Sequence, residues 1–264
     1  MGELVISSKA NVRVKQLRAA FGGQARMSGG LVAIEGEHLL EEAMRSGIEL
    51  KTVFVTEWRG VPRVVPRGVE VVRVTEGVFR SAVETPSPQG VAALIAPPVF
   101  GLEDVMGTGG SAALILVAVG LQDPGNLGTL VRSAEAFGAA GVLTTPGTVS
   151  AWNQKALRAS VGSVFRVPVV PVTASELREV KALGVRLIAA VGSDGEDAAG
   201  LDWRGACAVM IGNEGAGLAA EWLEMSDARV TIPCPGPVES LNAAVAGSLL
   251  LYEAGRQRGD GVRS

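Results

Sequence analysis

Segments with two different patterns of apolar and polar residues alternate along this chain, and the pattern of each segment predicts its secondary structure. In the C-terminal part, short apolar runs typical of buried strands are separated by segments whose apolar residues recur every three or four positions, as on amphipathic helices. The runs predict strands at Ala113–Val119, Gly141–Thr144, Val164–Val170, Val185–Val191, Ala206–Ile211 and Ala228–Ile232. The separating segments predict helices near Leu127–Phe137, Gln154–Ala159, Ser175–Leu183, Leu218–Met225 and Leu241–Gly255. Apolar strands that alternate with amphipathic helices indicate an α/β fold, with a mostly parallel sheet flanked by helices.

The N-terminal part shows the same two periods over a shorter length. Its predicted strands are Leu31–Ile34, Thr52–Val55, Val69–Val74 and Val91–Ile95, and its predicted helices are residues 9–21, Glu37–Arg45 and Glu76–Val83. We therefore expect a smaller α/β domain over residues 1–96 and a larger domain over residues 112–264. Pro and Gly are frequent between them, so residues 97–111 are predicted to form a linker.

Composition and charge limit the classes of function. The 264 residues are 47% hydrophobic, which is enough for the cores of one large or two modest domains. The net charge of −3 is not that of a histone-like binder of polyanions, so any contact with nucleic acid must depend on a local basic patch. The N-terminal residues supply candidates for an RNA-binding patch, namely Lys9, Arg13, Lys15, Arg18 and Arg26.

Cysteine use and hydropathy predict a cytoplasmic protein without a metal ion or a membrane span. Cys207 and Cys234 are isolated, and no metal-ligand spacing surrounds them, which favours a reducing compartment. The N-terminus lacks the apolar segment of a signal peptide. The longest uninterrupted apolar run, Ala112–Val119, is too short to cross a bilayer.

The first polar cluster, residues 120–138, follows the first strand of the larger domain. Asn126 stands where a helix N-cap is expected, and Gly138 suits the residue just after the helix. Arg132 points away from the apolar stripe of this helix; a lone arginine there is usually a solvated side chain, but its position after a Gly-rich strand end favours a function. The glycine spacing matches neither a dinucleotide fingerprint nor a phosphate-binding P-loop.

Two further clusters follow the fifth and sixth strands of the larger domain. Residues 212–218 contain Gly212 and Glu214, and their glycines suggest close approach of the backbone to a ligand. A Pro-rich turn then leads to Ser240 and Asn242 at the start of the last helix, beside Glu239. Taken singly, these are a tight turn and a helix capped by serine. In a parallel sheet, however, ligands bind at the carboxyl ends of the strands, where all three clusters are predicted to lie.

The order and spacing of the three clusters resemble the SpoU (TrmH-type) RNA 2′-O-ribose methyltransferases of the SPOUT superfamily. The resemblance covers about Leu114 to Arg256 and includes Asn126, Gly128, Arg132, Ala134, Phe137 and Gly138, then Ile211–Leu218, then Ile232–Asn242. The segment Asn153–Gly162 resembles the stretch that these proteins carry between the first two motifs. The N-terminal part is similar to the substrate-binding domain of the ribosomal-RNA branch, at Ser8, Asn11, Lys15, Glu35 and Gly36.

This resemblance implies a fold and a cofactor that the pattern alone does not. It implies a C-terminal trefoil knot, although knots are otherwise almost absent from proteins. It implies S-adenosylmethionine as the cofactor, bound by Ala190, Gly212, Ile232 and Leu241. It also implies a homodimer, for which Leu249, Leu250, Leu251 and Tyr252 would suit the interface, although packing in the core explains these four equally well.

The resemblance further implies methyl transfer from the cofactor to a ribose 2′-oxygen of RNA, most specifically 23S ribosomal RNA. The implied catalytic residues are Asn126, Arg132, Glu214, Ser240 and Asn242. Because a guanidinium stays protonated in proteins, we expect Arg132 to hold a phosphate and lower the pKa of the hydroxyl rather than act as a base. We expect Glu214 to pair with Arg132 or with a donor on the cofactor side.

Two other functions stay open from the sequence alone: a tRNA 2′-O-methyltransferase, and a noncatalytic RNA-binding or ribosome assembly factor that keeps the fold. The only histidine, His38, lies on an acidic helix outside every motif and is interpreted as a surface or packing residue. The four tryptophans, Trp58, Trp152, Trp203 and Trp222, are scattered, so packing in the core or at an interface is the default interpretation for each, with base stacking as the alternative for Trp152.

Overall fold

The predicted elements are distributed over two units of the chain, which are not divided at a single point. The computed structural model describes residues 5–22, 30–106, 112–238 and 240–259. One unit consists of residues 1–99 together with 152–165, and the other of residues 100–151 together with 166–264. The domain boundaries predicted from the sequence stay a prediction.

The N-terminal unit is built on a five-stranded mixed sheet. Its elements are β1 (Val5–Ile6), α1 (Val12–Phe21), β2 (Val32–Glu35), α2 (Glu37–Arg45), β3 (Leu50–Thr56), β4 (Glu70–Val74), α3 (Glu76–Arg80) and β5 (Val91–Ile95). The strand order is β1-β4-β3-β5-β2; β1 and β3 run parallel to β4, and β5 runs antiparallel to β3 and β2. Consequently β1, β2, β3 and β4 end at the same edge of the sheet, where β5 begins.

The apolar stripe of α1 closes one face of this sheet. Val14 and Leu17 pack with Phe54 on β3 and Phe79 on α3, and all four are almost completely buried. Asn11 caps α1, because its side chain accepts a hydrogen bond from the backbone N–H of Arg13 at 2.9 Å.

The C-terminal unit is built on a seven-stranded sheet. Its elements are α4 (Leu102–Met106), β6 (Leu114–Ala118), α5 (Pro124–Ala136), β7 (Gly141–Thr144), β8 (Val169–Pro171), α7 (Ala174–Ala182), β9 (Arg186–Ala190), β10 (Glu196–Asp197), β11 (Cys207–Ile211), α8 (Ala220–Met225), β12 (Ala228–Thr231) and α9 (Ala243–Gln257). Helix α6 (Gln154–Ser160) lies between β7 and β8 in the chain but belongs to the first unit. The strand order is β10-β12-β9-β11-β6-β7-β8, and every pairing is parallel. The predicted fold class is therefore confirmed.

Burial explains why the central strands are uninterrupted apolar runs. Every residue of β6 and β11 is buried, as expected for strands covered on both faces. Since β9, β11, β12 and β6 are neighbours and parallel, the segments that follow them emerge side by side at one edge of the sheet.

Helices α5 and α9 pack closely against each other. A Cβ atom on Gly247 would lie only 2.4 Å from Leu130 Cδ2, so the glycine allows this approach. The hydroxyls of Ser133 and Ser248 share a hydrogen bond of 2.6 Å across the contact. The last turn of α9 is tied down by Arg258, whose guanidinium donates to the carbonyl oxygen of Trp203 at 2.8 Å and to other carbonyl oxygens before β6 and β11.

Two local predictions are wrong. The predicted strand Val164–Val170 is a 3-10 turn at Ser163–Phe165 followed by β8, because Val161 and Gly162 adopt φ angles of 50° and 84° that turn the chain sharply. Helix α5 starts earlier than predicted: its N-cap is Asp123, and Asn126 lies within the first turn. Within the predicted linker, Leu102–Met106 forms α4, and its Val105 is buried in the core of the C-terminal unit.

The segment of residues 152–165 packs with the N-terminal sheet. Gln154 is buried, and its side chain donates to the backbone oxygen of Ala33 on the edge strand β2 at 2.8 Å. A Cβ atom on Gly162 would lie 2.6 Å from Glu42 Cβ on α2, so this glycine fixes the close approach. The sequence pattern assigned this segment to the larger domain.

Candidate functional site

A cavity of about 480 Å³ opens at the carboxyl ends of β9, β11 and β12. Small-molecule sites in proteins typically occupy roughly 300–1,000 Å³, and in parallel sheets they lie at this edge. The four predicted cofactor-binding residues all line it, namely Ala190, Gly212, Ile232 and Leu241. Glu214 and Ser240 line it as well, whereas Asn126, Arg132 and Asn242 do not.

The wall after β11 is a tight loop that requires glycine. A Cβ atom on Gly212 would lie 2.3 Å from the backbone carbon of Gly217, so no other residue fits without moving the main chain. Asn213 closes the loop: its N–H donates to the oxygen of Gly217 at 3.1 Å, and the N–H of Gly217 donates back at 2.9 Å. The Asn213 side chain also donates to the oxygen of Gly120 at 3.0 Å, which joins this loop to the end of β6.

A chain of side-chain hydrogen bonds connects the three sequence clusters beside this cavity. Asn242 Nδ2 donates to Asn126 Oδ1 at 3.1 Å, and Asn126 Nδ2 donates to Glu214 Oε1 at 2.9 Å. The backbone N–H of Asp123 also donates to Glu214 Oε1, at 3.3 Å. Three loops that are far apart in sequence therefore converge at this edge, as expected from the parallel order of the strands.

The direction of each hydrogen bond in this chain is fixed from one end. Asn242 is the N-cap of α9, and its Oδ1 accepts from the backbone N–H groups of Ala244 and Val245 at 2.9 and 3.2 Å. Its amide nitrogen must therefore donate to Asn126, whose own nitrogen must then donate to an acceptor. The Glu214 carboxylate is that acceptor.

The electrostatics of Glu214 agree with this arrangement. Partial burial pushes the pKa of the Glu214 carboxyl upward, but hydrogen bonds from Asn126 and from backbone N–H groups outweigh that effect and hold its pKa below its usual value. Glu214 is therefore ionised at neutral pH. The Glu214 carboxylate accepts a hydrogen bond from Asn126, and it does not form the expected pair with Arg132.

The remaining predicted catalytic residues are placed differently. Arg132 is exposed on α5, and no hydrogen bond or ion pair joins it to any other described residue. Ser240 is exposed at the cavity wall, while the neighbouring Glu239 lies outside the described residues. The structure thus gathers Asn126, Glu214 and Asn242 into one network, but it does not bring Arg132 into it.

The predicted basic patch is only partly available for phosphate binding. Arg13 forms an ion pair with Glu70 at 2.7 Å, and Arg18 donates to the backbone oxygen of Ser81 at 3.0 Å. Lys9 and Lys15 are exposed, with no ion-pair partner in the part of the chain that the structure describes. Arg26 lies outside the described residues.

Helix α9 carries an exposed apolar stripe. Leu250 and Leu251 are buried, so packing in the core accounts for them, whereas Leu249 and Tyr252 are exposed. With Val245, the exposed pair has the spacing of one helix face.

Residues 5–22, 30–106, 112–238 and 240–259 contain neither a cluster of metal ligands nor a membrane-spanning helix. In these ranges no group of three or more His, Cys, Asp or Glu side chains is arranged to hold a metal ion. Nor does any helix in them have both the length and the apolar character that crossing a bilayer demands.

Comparison with known proteins agrees with the fold and the cavity. Residues 113–252 match the SpoU rRNA Methylase family, and residues 11–93 match the MRM3-like substrate binding domain. The chain belongs to the SpoU rRNA methylase family, so the family predicted from the motifs is confirmed.

Three similar proteins cover nearly the whole chain. The 23S rRNA (guanosine(2553)-2′-O)-methyltransferase RlmP of Bacillus subtilis (strain 168) is 36% identical over 248 residues, which are 94% of this chain and 97% of RlmP. The 23S rRNA (guanosine-2′-O-)-methyltransferase RlmB of Xylella fastidiosa (strain 9a5c) is 34% identical over 230 residues, 85% of this chain and 91% of RlmB. The crystal structure of the SpoU methyltransferase AviRb from Streptomyces viridochromogenes in complex with AdoMet superposes with a TM-score of 0.82 at 27% identity, over 96% of this chain and 100% of AviRb.

These likenesses confirm two further predictions: the RNA 2′-O-methyltransferase class and S-adenosylmethionine as the cofactor. Asp123 and Asn213, which hold the first two loops in place, received no role from the motifs. The Asp-Pro pair at 123–124 was an available signal for Asp123, because proline favours the first position of a helix and aspartate the cap before it.

Proposed function

We propose that this protein transfers the methyl group of S-adenosylmethionine to the ribose 2′-oxygen of a nucleotide in 23S ribosomal RNA. The observation that carries the proposal is the hydrogen-bonded chain from Asn242 through Asn126 to Glu214, located beside the cavity. The names of RlmP and RlmB, which resemble this chain over most of its length, support 23S ribosomal RNA as the substrate.

The residues around the cavity fit this cofactor. Ile211, Ile232 and Leu241 supply apolar walls suited to an adenine ring, and the loop after β11 brings backbone groups close. Glu214 adds a negative charge at the wall, which favours a cationic ligand. Bound here, S-adenosylmethionine supplies an electrophilic methyl group on a positively charged sulfur.

Arg132 acts on the RNA. Its guanidinium is exposed and unpaired with any described residue, so it is available for a bidentate contact with the phosphate next to the target ribose. A fixed positive charge there lowers the pKa of the 2′-hydroxyl and stabilises the developing oxyanion. Asn126 and Asn242 hold the two helix starts in register, and the Ser240 hydroxyl at the cavity wall orients the ribose.

The active form is a homodimer. A face formed by Val245, Leu249 and Tyr252 on α9 leaves apolar surface in water, and burying it against a second copy is favourable.

The C-terminal chain also forms the trefoil knot of this family. The sheet order supports this, because β12 lies between β9 and β10, and those two strands belong to one continuous segment. The protein acts in the cytoplasm, where ribosomes are assembled.

The N-terminal domain, residues 1–96, captures the RNA, and residues 97–111 link it to the catalytic domain, residues 112–264. Lys9, before α1, and Lys15, on α1, are exposed, so among the described cations of the predicted patch these two are available to phosphates. Arg13 and Arg18 contribute less, because they are engaged by Glu70 and Ser81.

The test is transfer of tritiated methyl groups from S-adenosylmethionine to purified 23S ribosomal RNA and, separately, to tRNA. We expect wild-type protein to label 23S ribosomal RNA, and Arg132→Ala to lose about a hundredfold or more in rate. Arg178→Ala, which removes an exposed arginine from α7, is the matched control and should stay within about twofold of wild type. Labelling of tRNA alone would reassign the substrate, and RNA binding without any labelling would make the protein a noncatalytic factor.

A further inference from the structure

One exposed tryptophan stands at the edge of the N-terminal sheet where β1, β2, β3 and β4 end. Trp58 directly follows the central strand β3, and 58% of it is accessible to solvent, against 0% for Trp203 and 7% for Trp222. Two backbone hydrogen bonds of 3.0 Å, from Thr56 to Gly90 and from Glu57 to Val74, continue the sheet to this point. Trp58 therefore does not pack in the core, whereas packing at an interface stays a prediction.

The chain around Trp58 is held rigidly. The Arg59 guanidinium donates to the backbone oxygen of Gln89 at 2.8 Å and forms an ion pair with Glu37 at the start of α2. The backbone oxygen of Arg59 in turn accepts from the guanidinium of Arg73 at 3.0 Å. A side chain on such a fixed segment loses little conformational entropy when it binds a ligand.

The indole rests on a glycine. A Cβ atom on Gly90 would lie 2.8 Å from Trp58 Cζ2 and 2.9 Å from Cη2, and Gly90 has a φ of +77°, so only glycine admits the ring in this position. That Cβ atom would also lie 2.8 Å from the hydroxyl oxygen of Thr56, which is buried without a hydrogen-bond partner among the described residues. The ring is thus fixed along one edge, and more than half of the residue remains open to solvent.

Cations flank Trp58 on both sides along the sheet edge. Lys9 follows β1, two strands away on one side, and Arg158 lines a small cavity with Glu35 at the end of β2, two strands away on the other. Adjacent strands are about 4.8 Å apart, so β1 on one side and β2 on the other each lie roughly 10 Å from β3. No described carboxylate forms an ion pair with Lys9 or Arg158, but two carboxylates lie at this edge: Glu35 shares the cavity of Arg158 and accepts from Thr85 and Gln89, and Glu57 is exposed beside the ring.

Given the proposed function, in which RNA is the substrate, we propose that Trp58 is a stacking platform for one unpaired base of that RNA. Aromatic rings bind splayed bases by stacking, with little dependence on base identity, and flanking cations bind the neighbouring phosphates. Lys9 and Arg158 take that second role. The chemistry favours single-stranded RNA over a protein partner, because a single flat ring between two exposed cations offers little apolar area but matches alternating bases and phosphates.

The experiment combines RNA affinity, kinetics and fluorescence of the full chain. Trp58→Ala should raise the Kd for 23S ribosomal RNA about 5- to 100-fold, since stacking of one base is worth about 1–3 kcal/mol. Trp58→Phe should retain most of the affinity, and Val61→Ala, which trims an exposed apolar residue of the same loop, should change nothing. Trp58→Ala should raise KM for RNA, while kcat at saturating RNA and KM for S-adenosylmethionine stay unchanged.

Fluorescence reports directly on the ring. The emission lost in Trp58→Phe belongs to Trp58, and single-stranded oligouridylate should quench that component in wild type. Removing either flanking cation, Lys9→Ala or Arg158→Ala, should reduce the salt dependence of binding by about one phosphate contact, a slope change of roughly 0.7.

Unchanged affinity in Trp58→Ala together with unquenched emission would overturn the assignment, and so would a change of self-association without a change of RNA affinity. If wild type methylates 23S ribosomal RNA while Trp58→Ala matches it, the platform alone is rejected. If wild type neither binds nor methylates this RNA, the proposed function is rejected as well.

Discussion

Replacement of Asn126 by aspartate tests the hydrogen-bonded chain with a change of almost no volume. The variant keeps the oxygen that accepts from Asn242 but replaces the nitrogen that donates to Glu214 Oε1 at 2.9 Å. Two carboxylates at that separation repel by roughly 1.4 kcal/mol in bulk water and by roughly 6 kcal/mol at the effective dielectric constant of a protein surface. Protonating one carboxyl at neutral pH limits the cost to about 4 kcal/mol.

Because Glu214 is exposed, solvent screening reduces this repulsion, and we expect a loss of about 1–3 kcal/mol in the free energy of unfolding near neutral pH. The methyl-transfer rate should fall about a hundredfold, since an added negative charge opposes formation of the ribose oxyanion. Urea unfolding and tritium transfer to 23S ribosomal RNA measure the two effects.

The dependence on pH has a definite sign. In wild type the pKa of Glu214 is lowered, so its stabilising contribution is present above the unfolded-state pKa and is lost as pH falls through the folded-state pKa. In Asn126→Asp the repulsion raises the pKa of one of the two carboxyls in the folded protein. The folded state is therefore fully destabilised at neutral pH, and this destabilisation disappears below the unfolded-state pKa. The stability gap between the two proteins must therefore narrow on acidification.

Two controls isolate the charge. Asn126→Ala removes the donor without adding a carboxylate, so its stability gap should change much less with pH. Adding Glu214→Gln to Asn126→Asp supplies an amide that donates to the new carboxylate, and part of the lost stability should return. A pH-independent gap in Asn126→Asp, or wild-type stability and rate, would refute the hydrogen-bond directions.

Other parts of the structure give further expectations. Gly212→Ala places a Cβ atom 2.3 Å from the backbone, so calorimetry should show binding of S-adenosylmethionine weakened more than tenfold. The control Gly215→Ala, whose Cβ atom would lie 3.7 Å from Asn213 Oδ1, should bind the cofactor normally. Leu249→Glu should give monomers in sedimentation equilibrium, while Leu183→Glu, an exposed site on another helix end, should not; a dimeric Leu249→Glu protein contradicts the proposed interface. Arg258→Met removes charged hydrogen bonds to backbone and should lower the free energy of unfolding by about 2 kcal/mol; an unchanged urea midpoint contradicts that.

The sequence was most informative where local pattern and burial coincide. The apolar runs of β6 and β11 are buried throughout, so their period identified them without tertiary information. The four residues assigned to the cofactor through the motifs all line one cavity, because parallel strands end at a common edge.

Elements that depend on distant partners were not predictable in this way. The strand expected at Val164–Val170 is interrupted because Gly162 approaches Glu42, far away in sequence. The two residues of β10, Glu196 and Asp197, are polar and exposed, and they form a strand only because β12 lies beside them. The placement of the Trp58 ring likewise depends on Gly90, a contact with a distant residue that no local pattern contains.

The position of β12 has a consequence for the biosynthesis of this protein. β9 and β10 lie on one continuous stretch, Arg186–Asp197, yet the strand between them comes from Ala228–Thr231. While the chain leaves the ribosome, the gap between β9 and β10 has no occupant until those later residues emerge. Completion of this sheet therefore waits for the synthesis of residues 228–231, and nascent chains that stop before Ala228 keep an open strand edge that chaperones can recognise.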